Sequence, residues 1–196
     1  SELVTKKIQE VLSFNLPVDI ICTSHGVIWL DNPIRIVQQY LKWADSYQED
    51  QITLIYDTMW NGTRVMAENI AQGIKQADSR VNLKLYNLAK SDRNDVMTEI
   101  FKSRAILVGS PTINRTVLTS IAGLLEEMKG LKFRNKKAAA FGCYGWSGES
   151  VKMIKGQLEA AGFQVVDDGL RCLWNPDQKS IESCFEYCRN LAGLLK

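Results

Sequence analysis

From Ile52 onward, the chain alternates five times between a short apolar segment and a longer amphipathic segment. The apolar segments are rich in β-branched or small residues, as buried strands are, and the amphipathic segments repeat apolar residues at helical spacing. The predicted strands are 52–56, 81–86, 105–109, 138–143 and 163–166, and the predicted helices are 62–77, 92–101, 117–128, 148–161 and 177–195. This alternation predicts an α/β fold, a doubly wound five-stranded parallel sheet with helices on both faces and right-handed crossovers.

The first fifty residues follow a different pattern, a helix-strand-helix extension. Residues 2–14 and 33–45 have helical periodicity, residues 18–22 read as a strand, and residues 46–50 form a polar linker. Three such elements bury little apolar surface by themselves. We therefore expect two parts, with residues 1–50 as the end of a larger domain plus the linker and residues 51–196 as a second domain.

Composition excludes several classes of protein. Among the 196 residues, 45% are hydrophobic and the net charge is +2, which argues against a disordered chain and gives no support for nucleic-acid binding. No apolar run is long enough to span a membrane, and the amino end has no signal-peptide pattern. Five cysteines, an odd number without a C-x-x-C pair, favour reduced thiols and a cytoplasmic location.

The polar loop between the first strand of the alternation and its helix is the strongest candidate for a binding site. A helix that begins near Gly62 leaves its first amides without internal partners and places partial positive charge there, which suits a phosphate. The alternative is that Thr58 or Asn61 merely caps the helix and that Gly62 relieves a turn. The candidate binding residues of this loop are Thr58, Met59, Trp60, Asn61, Gly62 and Thr63. Among them, Thr58, Asn61 and Thr63 can donate to phosphate oxygens, and Trp60 can cover a ring.

Two further polar loops follow the third and fourth predicted strands and suit a flat aromatic ligand. In a parallel sheet these loops lie at the same edge as the first, where ligands bind in doubly wound folds. Glycines leave amides free and aromatic side chains can cover a ring, although Trp146 also fits an ordinary half-buried aromatic. The candidates are Ser110, Pro111, Thr112 and Asn114 in one loop, and Tyr144, Gly145, Trp146, Ser147 and Gly148 in the other. One phosphate loop and two ring-binding loops predict a site for FMN.

The motifs Y-D-T-M-W-N-G-T, G-S-P-T-I-N and F-G-C-Y-G-W-S-G-E resemble those of the flavodoxin domain of flavodiiron proteins. The resemblance implies the flavodoxin strand order 2-1-3-4-5 with FMN at the reversal of strand order. Compared with ordinary flavodoxins, Trp60 stands where a hydroxyl residue is usual and the glycine comes one place later.

The resemblance extends to the first fifty residues, where S-H-G-V-I-W is similar to the end of a metallo-β-lactamase-like domain. It implies that His25, the single histidine, is a di-iron ligand in the intact parent protein. By itself, one imidazole holds no transition metal. The resemblance also implies electron transfer from a rubredoxin module through FMN to a di-iron centre that reduces nitric oxide to nitrous oxide. The di-iron domain would belong to the same or a neighbouring subunit of a homo-oligomer.

Besides an inert interaction module with an empty pocket, three alternatives remain at the level of sequence. A phosphoryl-accepting receiver domain shares the sheet order but needs an acidic residue after the third strand, where Gly109, Ser110 and Pro111 stand. A flavodoxin-like NAD(P)H quinone reductase would need longer insertions for its nucleotide. A stand-alone electron carrier would use the same FMN site without the di-iron partner.

Overall fold

The computed structural model describes residues 2–194 and divides into two compact units, Ser1–Tyr47 and Gln48–Lys196. Two helices and two short strands make up the first unit: α1 (Glu2–Ser13), β1 (Ile21–Cys22), β2 (Ile28–Trp29) and α2 (Ile34–Ala44). The strand predicted over 18–22 is confined to its last two residues, and it pairs antiparallel with a second strand that the sequence did not predict. A turn joins them, in which Thr23 Oγ1 donates to Val27 O at 3.2 Å.

A six-stranded parallel sheet forms the centre of the second unit. Its strands are β3 (Glu49–Tyr56), β4 (Asn82–Asn87), β5 (Ser103–Gly109), β6 (Lys137–Tyr144), β7 (Gln164–Val165) and β8 (Leu170–Leu173). The spatial order β4-β3-β5-β6-β7 confirms the predicted order 2-1-3-4-5. The predicted linker is shorter than expected, because Glu49 and Asp50 already belong to β3.

Five helices cover this sheet, as the sequence predicted: α3 (Gly62–Ala77), α4 (Arg93–Lys102), α5 (Thr119–Leu131), α6 (Glu149–Ala160) and α7 (Gln178–Leu194). The predicted end of the last helix at Leu195 lies outside the described residues. Alternate residues of each strand point to opposite faces, so Leu54 packs in the cluster that holds Ile70 of α3, whereas Ile55 packs in the cluster that holds Ile121 of α5. Among residues 2–194, no helix has the length and apolarity needed to cross a bilayer.

The fifth predicted strand, 163–166, corresponds to the shorter β7, and the structure adds a further strand, β8, that the sequence did not predict. Strand β7 pairs with Lys137 and Ala138 of β6, the chain then bulges away, and β8 returns to pair with residues 141–144 of the same strand. The bulge closes at Gly169, which has φ +81° and lies so close to the Ala140 carbonyl that a Cβ would be 2.6 Å from its oxygen. Strand β8 therefore carries the chain four residues further, to the carboxyl edge of the sheet.

The backbone of β6 at Gly142 is close to the loop that follows β5. A Cβ at this position would lie 2.0 Å from the carbonyl oxygen of Ser110. Because that oxygen belongs to the backbone, no side-chain rotation can relieve the clash.

We expect Gly142→Ala to lower the free energy of unfolding in urea by about 1–3 kcal/mol or more. The matched control is Gly156→Ala inside α6, where a Cβ meets nothing within 4 Å. It should raise stability by about 0.5–1 kcal/mol. Equal effects of the two changes would contradict the packing described at Gly142.

Candidate functional site

The three predicted loops lie side by side at the carboxyl edge of the sheet. Backbone hydrogen bonds join them in series: Asp57 N donates to Gly109 O at 3.1 Å, and Ser110 N donates to Phe141 O at 3.2 Å. Thr112 N donates to Cys143 O at 2.9 Å. The structure thus brings together the loops after β3, β5 and β6, as their positions in a parallel sheet predicted.

The first loop ends where α3 begins, and no side chain caps this helix. Asn61 is in the left-handed conformation with φ 65°, and its carbonyl accepts the first helical hydrogen bond, from Val65 N at 2.9 Å, while its side chain makes no capping bond. Gly62 and Thr63 are buried. Because the first amides of an α-helix have no partners within it, this turn offers donors to an anion. The capping alternative for Asn61 is therefore wrong.

Thr58 carries the buried group of this loop that best fits a ligand. Its hydroxyl is buried and has no hydrogen-bond partner among the described residues. Its amide is already bound, donating to Asp57 Oδ1 at 2.7 Å, and the other carboxylate oxygen of Asp57 accepts a hydrogen bond from Ser120 Oγ. A buried hydroxyl without a partner costs about 1–3 kcal/mol, so such groups are normally paired. An acceptor such as a phosphate oxygen would satisfy this one.

Thr63 carries the second hydroxyl group of the loop, and this group contacts a thiol. The side chain is fully buried, and its Oγ1 lies 3.2 Å from Cys143 Sγ on β6. Burial raises the pKa of the Cys143 thiol, which keeps its proton near neutral pH. A protonated thiol can donate to Thr63 Oγ1 and leave the hydroxyl proton for a ligand.

The hydroxyls of the second loop are engaged within the protein. Ser110 Oγ accepts from Leu118 N at 3.0 Å and donates to the carbonyl of Pro111 at 2.9 Å. Thr112 Oγ1 donates to Ser150 Oγ at 2.9 Å and accepts from Ser150 N at 3.2 Å. These side chains fix the shape of the loop, and their contact with a ligand stays a prediction.

Beyond Thr112 the second loop forms a small hairpin that reaches toward the third loop. Asn114 and Arg115 both have positive φ, 47° and 62°, between Ile113 and Thr116, whose backbones exchange hydrogen bonds of 3.0 and 2.7 Å. Two left-handed residues at a hairpin tip are typical of a type I′ turn. The cleft between the two loops has a volume of about 390 Å³ and is lined by Thr112, Asn114, Arg115, Gly145, Trp146 and Ser147. Arg115 was missed because its charge alone does not distinguish it from other surface arginines.

Aromatic side chains stand at the rim of the site. Trp60 is 79% exposed and Trp146 is 89% exposed, so the interpretation of Trp146 as an ordinary half-buried aromatic is wrong. Met59 beside Trp60 is also exposed. Rings held this far out of the core can cover the face of a flat ligand at little cost in folding stability.

Contacts among its own residues fix the conformation of the third loop. The ring of Tyr144 lies against Gly148, whose φ is +71° and where a Cβ would be 3.0 Å from the ring. Ser147 Oγ donates to Glu149 Oε2 at 2.7 Å, and this hydrogen bond lowers the pKa of the Glu149 carboxyl. Trp146 makes an edge contact with Trp174, with 5.7 Å between ring centroids. The sequence did not predict Trp174 as a site residue, because it follows β8, the strand that was not recognised.

His25 lies in the first unit and is exposed, with Nδ1 3.1 Å from Ser24 Oγ. Within residues 2–194, no group of three or more His, Cys, Asp or Glu side chains is arranged to hold a metal ion. All five cysteines are free thiols. The predicted role of His25 concerns the intact parent protein and stays a prediction.

Comparison with known proteins finds relatives over nearly the whole chain. The sequence profile of the flavodoxin family matches residues 54–187. The anaerobic nitric oxide reductase flavorubredoxin of Escherichia coli O1:K1 is 54% identical over 192 residues, which cover 98% of this chain and 40% of that protein. The chain therefore spans about two fifths of the length of the curated relatives that it matches.

Comparison with solved structures finds proteins that share the fold over nearly the whole chain. Rubredoxin oxygen:oxidoreductase from Desulfovibrio gigas superposes with a TM-score of 0.90 at 30% identity, covering 98% of this chain and 48% of that one. The flavodiiron protein of Giardia intestinalis has a TM-score of 0.85 at 24% identity, covering 97% and 48%, and at this identity the likeness concerns the fold. These matches confirm the predicted resemblance to flavodiiron proteins.

The unpaired hydroxyl of Thr58 leads to a prediction about the chain without ligand. Thr58→Val removes a buried group that has no partner, so we expect the free energy of unfolding to rise by about 1 kcal/mol. Thr63→Val is the matched control, because it removes a hydroxyl that does have a partner, Cys143 Sγ, and should bring no gain. Urea unfolding of both variants measures the difference. If Thr58→Val is no more stable than Thr63→Val, the hydroxyl of Thr58 is not the unsatisfied group described here.

Proposed function

The chain belongs to the flavodoxin family, and from this premise we propose that residues 51–196 bind FMN and transfer electrons as one domain of a flavodiiron protein. The observation that carries the proposal is the start of α3. There the buried Thr58 hydroxyl without a partner, the uncapped first turn and the buried Thr63 hydroxyl are gathered in one loop. A phosphate monoester provides the acceptors that all of these donors need.

The other loops of the site would bind the ring system of the cofactor. FMN, when bound, supplies the redox chemistry by accepting and releasing electrons. The protein binds and orients it. The exposed rings of Trp60 and Trp146 would cover the flavin. Residues 145–147 and the Asn114 hairpin line one cleft, which supports their contact with the ring. No side chain of this site is required to act as a general acid, general base or nucleophile.

The activity of the whole protein is a further part of the proposal. By analogy with the flavorubredoxin relative, whose name describes an anaerobic nitric oxide reductase, residues 1–50 end a metallo-β-lactamase-like domain in which His25 is a di-iron ligand. Electrons pass from a rubredoxin module or rubredoxin-type donor to the FMN domain and then to the di-iron centre, within a cytoplasmic homo-oligomer. Strands β1 and β2 pair over two residues, and several apolar side chains of this unit are exposed. Both features fit a segment that belongs to a larger domain.

The visible spectrum of the purified chain tests the proposal. We expect a yellow protein with the two absorption bands of an oxidised flavin, which releases FMN in a 1:1 ratio on denaturation. A colourless chain that does not take up added FMN would overturn the proposal. Oxidation of NAD(P)H by the flavin-loaded chain with a quinone acceptor would instead favour the quinone reductase.

The two hydroxyls of the phosphate loop should dominate the affinity. Hydrogen bonds to a charged group contribute about 1.5–3 kcal/mol each, so Thr58→Val combined with Thr63→Val should raise the Kd for FMN by at least about a hundredfold. Thr98→Val is the control, since its hydroxyl donates to Asn94 O within α4, and it should leave the Kd unchanged. Quenching of FMN fluorescence gives both values. Equal affinity of the double variant and wild type would remove these residues from the site.

A further inference from the structure

We propose that the loop after β8, Trp174–Asp177, is a fourth wall of the flavin site, in which the Asn175 side chain contacts the phosphate group. This inference rests on the proposed FMN site at the start of α3. The three loops that the sequence predicted all follow β3, β5 or β6, whereas this loop follows a strand that the sequence did not reveal.

The position of the loop is fixed at both ends. Trp174 N donates to Tyr144 O at 2.7 Å, which extends the β6–β8 pairing by one residue. At the other end, Asp177 directly precedes α7, and its Oδ1 accepts from Ser180 N at 2.8 Å and from Ser180 Oγ at 2.7 Å. A loop of four residues held in this way has little freedom to move away from the third loop.

The ring of Trp174 packs on the third loop. A Cβ built on Gly145 would lie 3.1 Å from this ring, and the ring also contacts Trp146 edge to face. Trp174 has φ 58°, a left-handed conformation that is costly for an aromatic residue. Its backbone hydrogen bond and its ring contacts together offset that cost. The strained residue turns the chain so that Asn175 comes next to the first loop.

Asn175 reaches the start of α3. A Cβ built on Gly62 would lie 2.9 Å from Asn175 Oδ1 and 3.0 Å from Cys143 Sγ. Asn175 therefore lies beside the first turn of the helix whose amides would hold the phosphate. Its side chain is exposed, and no hydrogen bond within the described residues is assigned to it. A side-chain amide carries two N–H donors, which suit a phosphate oxygen.

Substitution of Asn175 by aspartate tests this placement with minimal change in shape. Asn175→Asp adds a negative charge next to the proposed phosphate site, and repulsion between the two negative groups should raise the Kd for FMN about tenfold. Riboflavin has the same ring and no phosphate, so its Kd should not change. Asn175→Ala, which removes the donors without adding charge, should raise the Kd for FMN by a smaller factor and again leave riboflavin unchanged.

Asn135→Asp is the control for charge, because Asn135 is also exposed but lies just before β6, at the opposite edge of the sheet. It should change neither Kd. Asn175→Asp with an unchanged Kd for FMN, or with equal increases for FMN and riboflavin, would overturn the inference. An increase for Asn175→Asp with none for Asn175→Ala would show nearness without a hydrogen bond and would overturn the assigned contact. Failure of the wild-type chain to bind FMN would instead overturn the proposed function.

Discussion

The uncapped first turn of α3 is the constraint on which the site depends. The helix is anchored by buried residues along its length, among them Met66, Ile70 and Ile74, so its first turn is held rigidly against the sheet. The left-handed conformation of Asn61 brings the chain into the helix without a side-chain cap. Amide donors that a side-chain cap satisfies in many helices are here left for a ligand, and the buried hydroxyl of Thr58 without a partner adds to the cost of this arrangement.

The sheet makes these donors converge. Parallel pairing of β3, β5 and β6 places the ends of all three strands at one edge, and their loops are joined by backbone hydrogen bonds from Asp57 to Thr112. The side chains of Ser110 and Thr112 serve this framework rather than the cleft. Rigid backbone around a few free donors and exposed rings is the arrangement that a tightly held cofactor requires, because little conformational entropy is then lost on binding.

Much of the fold and part of the site could be predicted from the sequence. Strands such as 105–109 and helices such as 62–77 have strong apolar periodicity, and their order along the chain limits the topology. Strand β8 could not be predicted, because it has four residues, includes the charged Arg171 and follows the turn-forming run Asp167, Asp168, Gly169. With β8 the contribution of Trp174 was also missed. Which hydroxyls are engaged within the protein depends on contacts such as that between Thr112 and Ser150, 38 residues apart, which periodicity does not reveal.

Backbone amide chemical shifts of the isotope-labelled, flavin-free chain, followed by NMR as FMN is added, test the central claim most directly. The account predicts that the largest shifts occur at the amides of residues 58–63, with further shifts in 144–148, and that Asn135 and Gly162 at the opposite edge of the sheet do not respond. Inorganic phosphate alone should reproduce the shifts of Gly62 and Thr63. Large shifts elsewhere, with residues 58–63 unaffected by either compound, would contradict the account.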